Sequence, residues 1–141
     1  MKALPNPCNS CPYRRDTPPG VWAKEEYNKL PQRDEATALC GTFLCHNAPE
    51  HQTVCRGWLE VHHENLSVRL ACYEIDWNET NKQPTRIPLY RSGAEARRAG
   101  IKGIARPSRT ARQVIARIAL KRKRSPKRGA LKAKKGSKRQ R

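Results

Sequence analysis

The chain has 141 residues and a formal net charge of +18, with 30 Lys and Arg against 12 Asp and Glu. This length suits one small domain with an appendage, and the sequence contains neither a signal peptide nor the roughly 20 apolar residues that span a bilayer. We therefore expect a cytoplasmic protein without a membrane partner, associated with the nucleoid if its host is a bacterium. Six cysteines in a reducing compartment indicate metal ligands or redox groups, whereas export would allow three disulfide bonds.

The positive charge is concentrated at one end of the chain. Residues 1–90 carry ten basic and eleven acidic side chains, whereas residues 91–141 carry twenty basic side chains and one acidic side chain, Glu95. The sequence therefore predicts a near-neutral, Cys-rich metal-binding domain over residues 1–90 and a basic nucleic-acid-binding arm over residues 91–141.

Local patterns along the first domain predict short, irregular elements. The stretch from Asn6 to Gly20 holds four prolines and two cysteines, which favours an ordered loop. Val21–Leu30 is predicted to be a helix that Pro31 ends, and Thr42–Cys45 a strand. Cys55 to about Tyr73 is predicted to be one helix, because apolar or aromatic residues recur there at intervals of three and four. These residues are Leu59, His62, Leu66, Leu70 and Tyr73.

The arm contains one clear helical pattern. Ser108 is a candidate N-cap for a helix over about residues 108–124, with Ala111, Val114, Ile115, Ile118 and Ala119 along one face. Glu95–Ala99 is predicted to be a helical turn that Gly100 and Gly103 break, and residues 125–141 are predicted to be disordered because they contain almost no apolar side chains. The predicted fold class is thus a small, irregular α+β or mostly α metal-stabilised domain, followed by a basic helix and a disordered tail.

Four cysteines have a spacing that indicates a metal site. Cys8 and Cys11 form a C-x2-C pair, and Cys45 and Cys55 supply a second, more widely spaced pair. Two residues between thiols allow one turn to direct both sulfurs at one ion, and a distant pair can complete a tetrahedron around Zn²⁺. His46 and Cys40 are possible substitute ligands.

Two other kinds of cysteine site are compatible with parts of this pattern. A 4Fe-4S cluster accepts the same thiolates and remains an alternative to zinc. A thioredoxin-like dithiol requires the C-x2-C pair at the start of a helix, and Pro12, Pro18 and Pro19 argue against a helix there.

Several dispersed motifs surround these cysteines. They are Cys8-x2-Cys11-Pro12-Tyr13-Arg14-Arg15-Asp16, Pro18-Pro19-Gly20-Val21-Trp22, Glu26-Tyr27-x-Lys29-Leu30, Phe43-Leu44-Cys45-His46 and Cys55-x-Gly57-Trp58. Over about residues 5–60 they resemble a small cysteine-motif family of unknown function that occurs in phages and in their actinobacterial hosts. The resemblance implies shared cysteines, metal or cluster binding and a phage-encoded protein; it implies no activity, and it leaves the basic arm outside.

The arm has the composition of a segment that binds the phosphate backbone. No aromatic residue follows Tyr90, so the arm has no platform on which bases could stack. We expect weakly selective binding to duplex DNA or RNA. The candidate contact residues are Arg106, Arg109, Arg112, Arg117, Lys121, Arg122, Lys123, Arg124, Lys127, Arg128, Lys132, Lys134, Lys135, Lys138, Arg139 and Arg141. Arg14 and Arg15 could also meet a phosphate, although a local ion pair with Asp16 is the simpler interpretation.

No catalytic motif is present in the sequence. It contains no Gly-rich phosphate loop, no G-x-S-x-G and no H-E-x-x-H, and we expect neither an enzyme nor a small-molecule substrate. The sequence predicts a metal-stabilised, nucleic-acid-binding accessory or regulatory protein. The alternatives are a factor that binds a host protein such as a polymerase, and an iron–sulfur redox sensor.

Overall fold

A computed structural model describes residues 1–37, 39–48 and 52–124 of the chain. Within these ranges the elements are β1 (Lys2–Ala3), α1 (Lys24–Asn28), a 3-10 turn (Pro31–Arg33), β2 (Thr53–Val54), α2 (Arg56–Val61), α3 (Leu66–Cys72), α4 (Gly93–Ile101) and α5 (Arg109–Arg124). The prediction of a small domain that mixes helices with short strands is confirmed. The predicted disorder of residues 125–141 lies outside the described residues.

The core is built largely by segments between the helices. Strands β1 and β2 pair in parallel, with Lys2 opposite Thr53 and Ala3 opposite Val54. Tyr13, from the proline-rich loop, is completely buried and forms a T-shaped ring pair with Phe43 at a centroid distance of 6.3 Å. Trp58 of α2 completes this aromatic group, with its ring centroid 6.5 Å from that of Phe43. A chain with few large apolar residues thus forms its core around three aromatic side chains that lie far apart in sequence.

The prediction of one continuous helix over residues 55–73 is wrong, because two separate helices, α2 and α3, lie in this range. The chain leaves helical geometry at His62, and α3 begins only after Asn65. The Asn65 side chain donates a hydrogen bond to the backbone oxygen of Arg33 at 2.7 Å, which fixes the turn between the helices. The change of direction places Val68 and Ala71 in the core and leaves Leu66, Leu70 and Tyr73 on the surface.

Two further predicted elements are shorter than expected. Helix α1 covers only Lys24–Asn28 of the predicted Val21–Leu30. In place of a strand over Thr42–Cys45, Leu44 makes an isolated antiparallel bridge with Val54. The bridge is flanked by hydrogen bonds from the Cys45 N–H to the Thr53 oxygen and from the Cys55 N–H to the Phe43 oxygen, each 2.8 Å long. These two bonds fix the backbone at both cysteines.

Helix α4 continues through Gly100, where a break was predicted. Gly100 lies against the Tyr27 ring of α1, so closely that a Cβ atom would overlap the ring. Its backbone oxygen also accepts a hydrogen bond from Gly20, whose φ of 82° lies in the left-handed region that favours glycine. Here glycine serves close packing between segments rather than helix termination.

Helix α5 agrees closely with its prediction. The Ser108 side-chain oxygen accepts a hydrogen bond from the Ala111 N–H at 3.1 Å, as an N-cap does. Ala111 and Ile118 are buried against the rest of the protein, and Val114 and Ile115 are half-buried, whereas Ala119 of the same predicted face is exposed. No helix within the described residues is long and apolar enough to cross a membrane.

Candidate metal centre and basic helix

The C-x2-C segment forms two consecutive turns. The Cys11 N–H donates to the Cys8 oxygen at 2.9 Å, and the Arg14 N–H donates to the Cys11 oxygen at 3.1 Å. Cys11 is buried and Cys8 is half-buried. The prolines that prevent a helix here therefore leave the two thiols on a compact loop at the edge of the core.

The four predicted thiols are brought together as two contacting pairs. The sulfurs of Cys11 and Cys55 lie 3.9 Å apart in the core. Cys8 and Cys45 form the second pair, and side-chain hydrogen bonding with Cys45 lowers the pKa of Cys8 to about 6. The same bond, together with burial, raises the pKa of Cys45.

The two pairs lie close to each other. The hydrogen bond with Cys11 and burial raise the pKa of Cys55, and repulsion from Cys45 adds to this shift. Repulsion from Cys11 likewise contributes to the raised pKa of Cys45. Gly57 allows α2 to pack closely against the cysteine loop, because a Cβ atom at this position would lie 2.5 Å from the Cys11 sulfur and 2.9 Å from the Tyr13 Cβ. In the described part of the chain, however, no three Cys, His, Asp or Glu side chains surround a common point as metal ligands do.

The observed sulfur separation permits a test of the two candidate groups. In a tetrahedral zinc site with Zn–S bonds of about 2.3 Å, neighbouring sulfurs lie about 3.8 Å apart. The Cys11–Cys55 separation of 3.9 Å is close to this value. The thiolates of a 4Fe-4S cluster bind separate irons and are held farther apart. The Cys11–Cys55 separation is therefore compatible with two ligands of one Zn²⁺, whereas the four thiols do not surround a common point in the described part of the chain.

The two possible substitute ligands make other contacts. His46 Nε2 forms a short hydrogen bond with the Glu26 carboxylate, and its ring lies 5.3 Å from the ring of Trp22. The Cys40 thiol donates to the Gln32 backbone oxygen at 3.2 Å. Neither side chain shares a contact with the four clustered thiols among the described residues, so the four-cysteine set remains the better candidate.

Trp22 connects the cysteine loop with the basic helix. Its indole N–H donates to the backbone oxygen of Ser10, between Cys8 and Cys11, at 2.6 Å. The Arg122 guanidinium lies over the face of the Trp22 ring, 5.8 Å from the ring centroid. Sequence reasoning placed Trp22 on a helix and missed this role. The available signal was a tryptophan beside the C-x2-C loop in a chain with three tryptophans.

The positive side chains of α5 face solvent. Arg106 before the helix and seven positions within it are exposed: Arg109, Arg112, Arg117, Lys121, Arg122, Lys123 and Arg124. The helix contains no acidic residue. The predicted contact residues Lys127, Arg128, Lys132, Lys134, Lys135, Lys138, Arg139 and Arg141 lie outside the described residues.

The arginines beside the cysteine loop have partners within the protein. Arg14 forms two hydrogen bonds with the Asp16 carboxylate, at 2.7 and 2.6 Å, which agrees with the simpler of the two interpretations above. Arg15 donates to Glu95 at 2.9 Å and to the Leu89 oxygen at 3.0 Å. The contact with Glu95 attaches the loop to α4.

Comparison with known proteins gives a family but no function. No curated protein and no solved structure matches the chain. A family of unknown function, DUF6283, matches residues 3–124. The match contains all four clustered cysteines, crosses the predicted domain boundary at residue 90 and extends to the last residue of α5. The chain therefore belongs to the family of unknown function DUF6283.

Proposed function

We propose that this protein is a non-enzymatic, zinc-stabilised nucleic-acid-binding accessory or regulatory protein. In this proposal α5 and the residues after it contact the phosphate backbone of duplex DNA or RNA. The observation that carries the proposal is the exposed basic surface of α5. Among the described residues, Arg109, Arg112, Arg117, Lys123 and Arg124 form no ion pair with an acidic side chain.

The packing of α5 supports this function. Burial of Ala111 and Ile118 fixes the helix on the domain, and the Arg122–Trp22 contact holds its last turn. A fixed helix loses less conformational entropy on binding than a mobile chain does. Each cation that neutralises a phosphate also releases counterions, which gives affinity without a base-specific contact.

The proposed zinc has a structural role. Cys8, Cys11, Cys45 and Cys55 would hold it, and four protein ligands leave no open position for a substrate or a catalytic water. A bound ion would connect the proline-rich loop with the segment around β2, and its binding energy would contribute directly to folding. Metal analysis of anaerobically purified protein tests this part. One equivalent of zinc is expected, and a brown iron-containing preparation would favour a cluster.

The nucleic-acid proposal is tested by salt titration on two unrelated duplexes. The full chain should bind both duplexes similarly, and its log affinity should fall linearly with log salt concentration. A variant with Arg109, Arg112, Arg117 and Lys123 changed to Gln should show a slope reduced by about 0.9 for each phosphate that is no longer neutralised.

A matched control removes the same charge from the first 90 residues. The exposed cations Lys2, Lys24, Lys82 and Arg86, changed to Gln, lower the net charge equally but lie outside α5. For this control, the slope of log affinity against log salt concentration should differ from the wild-type slope by less than about 0.9, which is the contribution of a single phosphate. Equal reductions of the slope in the two variants would mean non-specific attraction by net charge, and the assignment of α5 as the contact surface would then be wrong.

A further inference from the structure

Helix α3 carries an exposed apolar stripe. The described residues include six large hydrophobic side chains that are exposed, and three of them lie on α3 or directly after it: Leu66 at 40% and Leu70 at 50% exposure on the helix, and Tyr73 at 89% exposure at its C-cap. Their spacing of four and three residues places them on a single side. Scattered surface hydrophobics are ordinary, but a stripe of this kind typically marks an interaction surface.

Apolar surface continues on both sides of this stripe. The Leu66 N–H donates to the Ala36 oxygen, and the Ser67 hydroxyl oxygen accepts from the Cys40 N–H. The segment that carries Leu39, 71% exposed, therefore runs beside the start of α3. Beyond Tyr73, a groove of about 470 Å³ is lined by Val68, Cys72 and Trp77, among others.

Two opposite charges flank the stripe. Arg69 lies on one side and Glu74 on the other, and both are exposed. Glu74 lies one residue beyond the C-cap Tyr73, and its N–H donates to the Ala71 oxygen at 3.0 Å, so a helical turn extends past the end of α3 to this residue. Within the described residues, neither side chain has an ion-pair or hydrogen-bond partner.

We propose that α3 is the contact surface of a symmetric homodimer, in which two copies pair their α3 helices in parallel. In such a pair, the core positions d, a and d of the heptad pattern are occupied by Leu66, Leu70 and Tyr73. The flanking positions g and e are occupied by Arg69 and Glu74. Residues at g of one helix face residues at e of the other, so Arg69 of each copy meets Glu74 of the second copy. A two-fold axis makes this contact twice.

The charge pattern selects a second copy of this chain as the partner. The stripe is complementary to itself only in the parallel orientation, because antiparallel helices would place Arg69 near its own equivalent. An unrelated partner would have to supply both an apolar face and two charges at this spacing, whereas a second copy provides them without further assumption.

The experiment measures the mass of the full chain in solution by light scattering and sedimentation over a range of concentrations. The wild-type protein should be a dimer that dissociates on dilution. Leu70→Asp should weaken association roughly a hundredfold or more, because each dimer would lose two buried leucines. Since Leu70 is half exposed in the single chain, circular dichroism should show an unchanged fold.

Charge reversal tests the orientation. Arg69→Glu and Glu74→Arg should each weaken the dimer by about tenfold, because each creates like-charge contacts on both sides of the axis. The double variant should restore wild-type association. A wild-type monomer throughout the accessible concentration range would overturn the proposal. A dimer unaffected by Leu70→Asp, or a double variant that remains as weak as the single ones, would overturn it as well.

Discussion

The cysteine loop over residues 6–20 and helix α5 are ordered for opposite reasons. The loop contains no helix, yet Ser10, Cys11 and Tyr13 are almost completely buried. Helix α5 is 16 residues long, yet only Ala111 and Ile118 are buried. The loop is held by contacts with distant segments, whereas α5 is stabilised by its local sequence, its cap and two anchoring side chains.

This difference predicts where each region is vulnerable. Damage to the loop should spread through the core, because its residues contact Phe43, Cys55 and Trp22. Damage to α5 should remain local, because the helix contributes little to the core. The following variants test this contrast, beginning with the largest expected effect.

Removal of one clustered thiol should have the largest effect. Cys11→Ser and Cys55→Ser should each remove the metal and abolish cooperative unfolding of the domain, because a site with three thiolates binds zinc much more weakly. Cys8→Ser and Cys45→Ser should act in the same direction. Metal content and thermal melting provide the measurements.

Cys72→Ser is the matched control, since Cys72 is half-buried and lies outside the cluster. It should retain the metal and most of the stability. The four-thiol assignment would be refuted if Cys55→Ser kept its full metal content while His46→Ala lost it.

Trp22→Phe should have the next largest effect and should reach both regions. It removes the hydrogen bond to the Ser10 oxygen and leaves that buried oxygen without its partner, at a cost of about 2 kcal/mol in the free energy of unfolding. Hydrogen exchange should increase in the cysteine loop and in the last turn of α5, where Arg122 loses part of the ring beneath it.

Trp77→Phe makes the same chemical change elsewhere, because the Trp77 indole N–H donates to the Cys72 oxygen at 2.9 Å. It should lower stability but leave exchange in α5 unchanged. If both tryptophan variants had the same effect on α5, Trp22 would not connect the two regions.

Ser108→Ala should show the local character of α5. Removal of the cap should cost about 1 kcal/mol, confined to the first turns of the helix, with metal content unaffected. Hydrogen exchange across Arg109–Arg124 reports the change. Ser92→Ala is the matched variant, because the Ser92 side chain accepts from the Glu95 N–H at 3.1 Å and caps α4 instead. Faster exchange throughout the core after Ser108→Ala would contradict the contrast.

The smallest effect concerns pH. Burial lowers the pKa of His62, which lies 3.3 Å from the Tyr13 hydroxyl. The unfolded chain therefore binds a proton more readily than the folded protein, and stability should fall as pH decreases through about 6.5, the ordinary histidine value. The contribution is at most about 1.4 kcal/mol per pH unit.

His62→Asn should remove this part of the pH dependence. The exposed His63 provides the control, since His63→Asn should leave the slope unchanged. Metal content measured over the same pH range separates this effect from protonation of the thiols. A wild-type slope in His62→Asn would exclude His62 as the source.

The sequence predicted what local signals determine. The Ser108 cap, the extent of α5 and the absence of helix in the cysteine loop followed from residue types and spacing. The break between α2 and α3 did not, because Asn65 is fixed by the Arg33 backbone, 32 residues earlier in the chain. For the same reason the recurrence of Leu66, Leu70 and Tyr73 at helical intervals could not show that these side chains are exposed.

The candidate site was predictable only in part. The spacing of Cys8, Cys11, Cys45 and Cys55 identified the cluster that the structure brings together as two pairs. Spacing could not show that His46 interacts with Glu26, or that Trp22 joins Ser10 to Arg122, because each of these contacts connects segments far apart in the sequence. The metal itself remains a prediction.

The parallel pairing of β1 with β2 has a consequence for the order of folding. Lys2 lies opposite Thr53, so this pairing can form only after a chain segment of some fifty residues has closed into a loop. Helix α5 requires no such closure and can form within about a microsecond. We therefore expect stopped-flow refolding to show early helical signal from α5, followed by slower burial of Trp22 and Trp58. Simultaneous appearance of both signals would mean that α5 forms only on a completed domain.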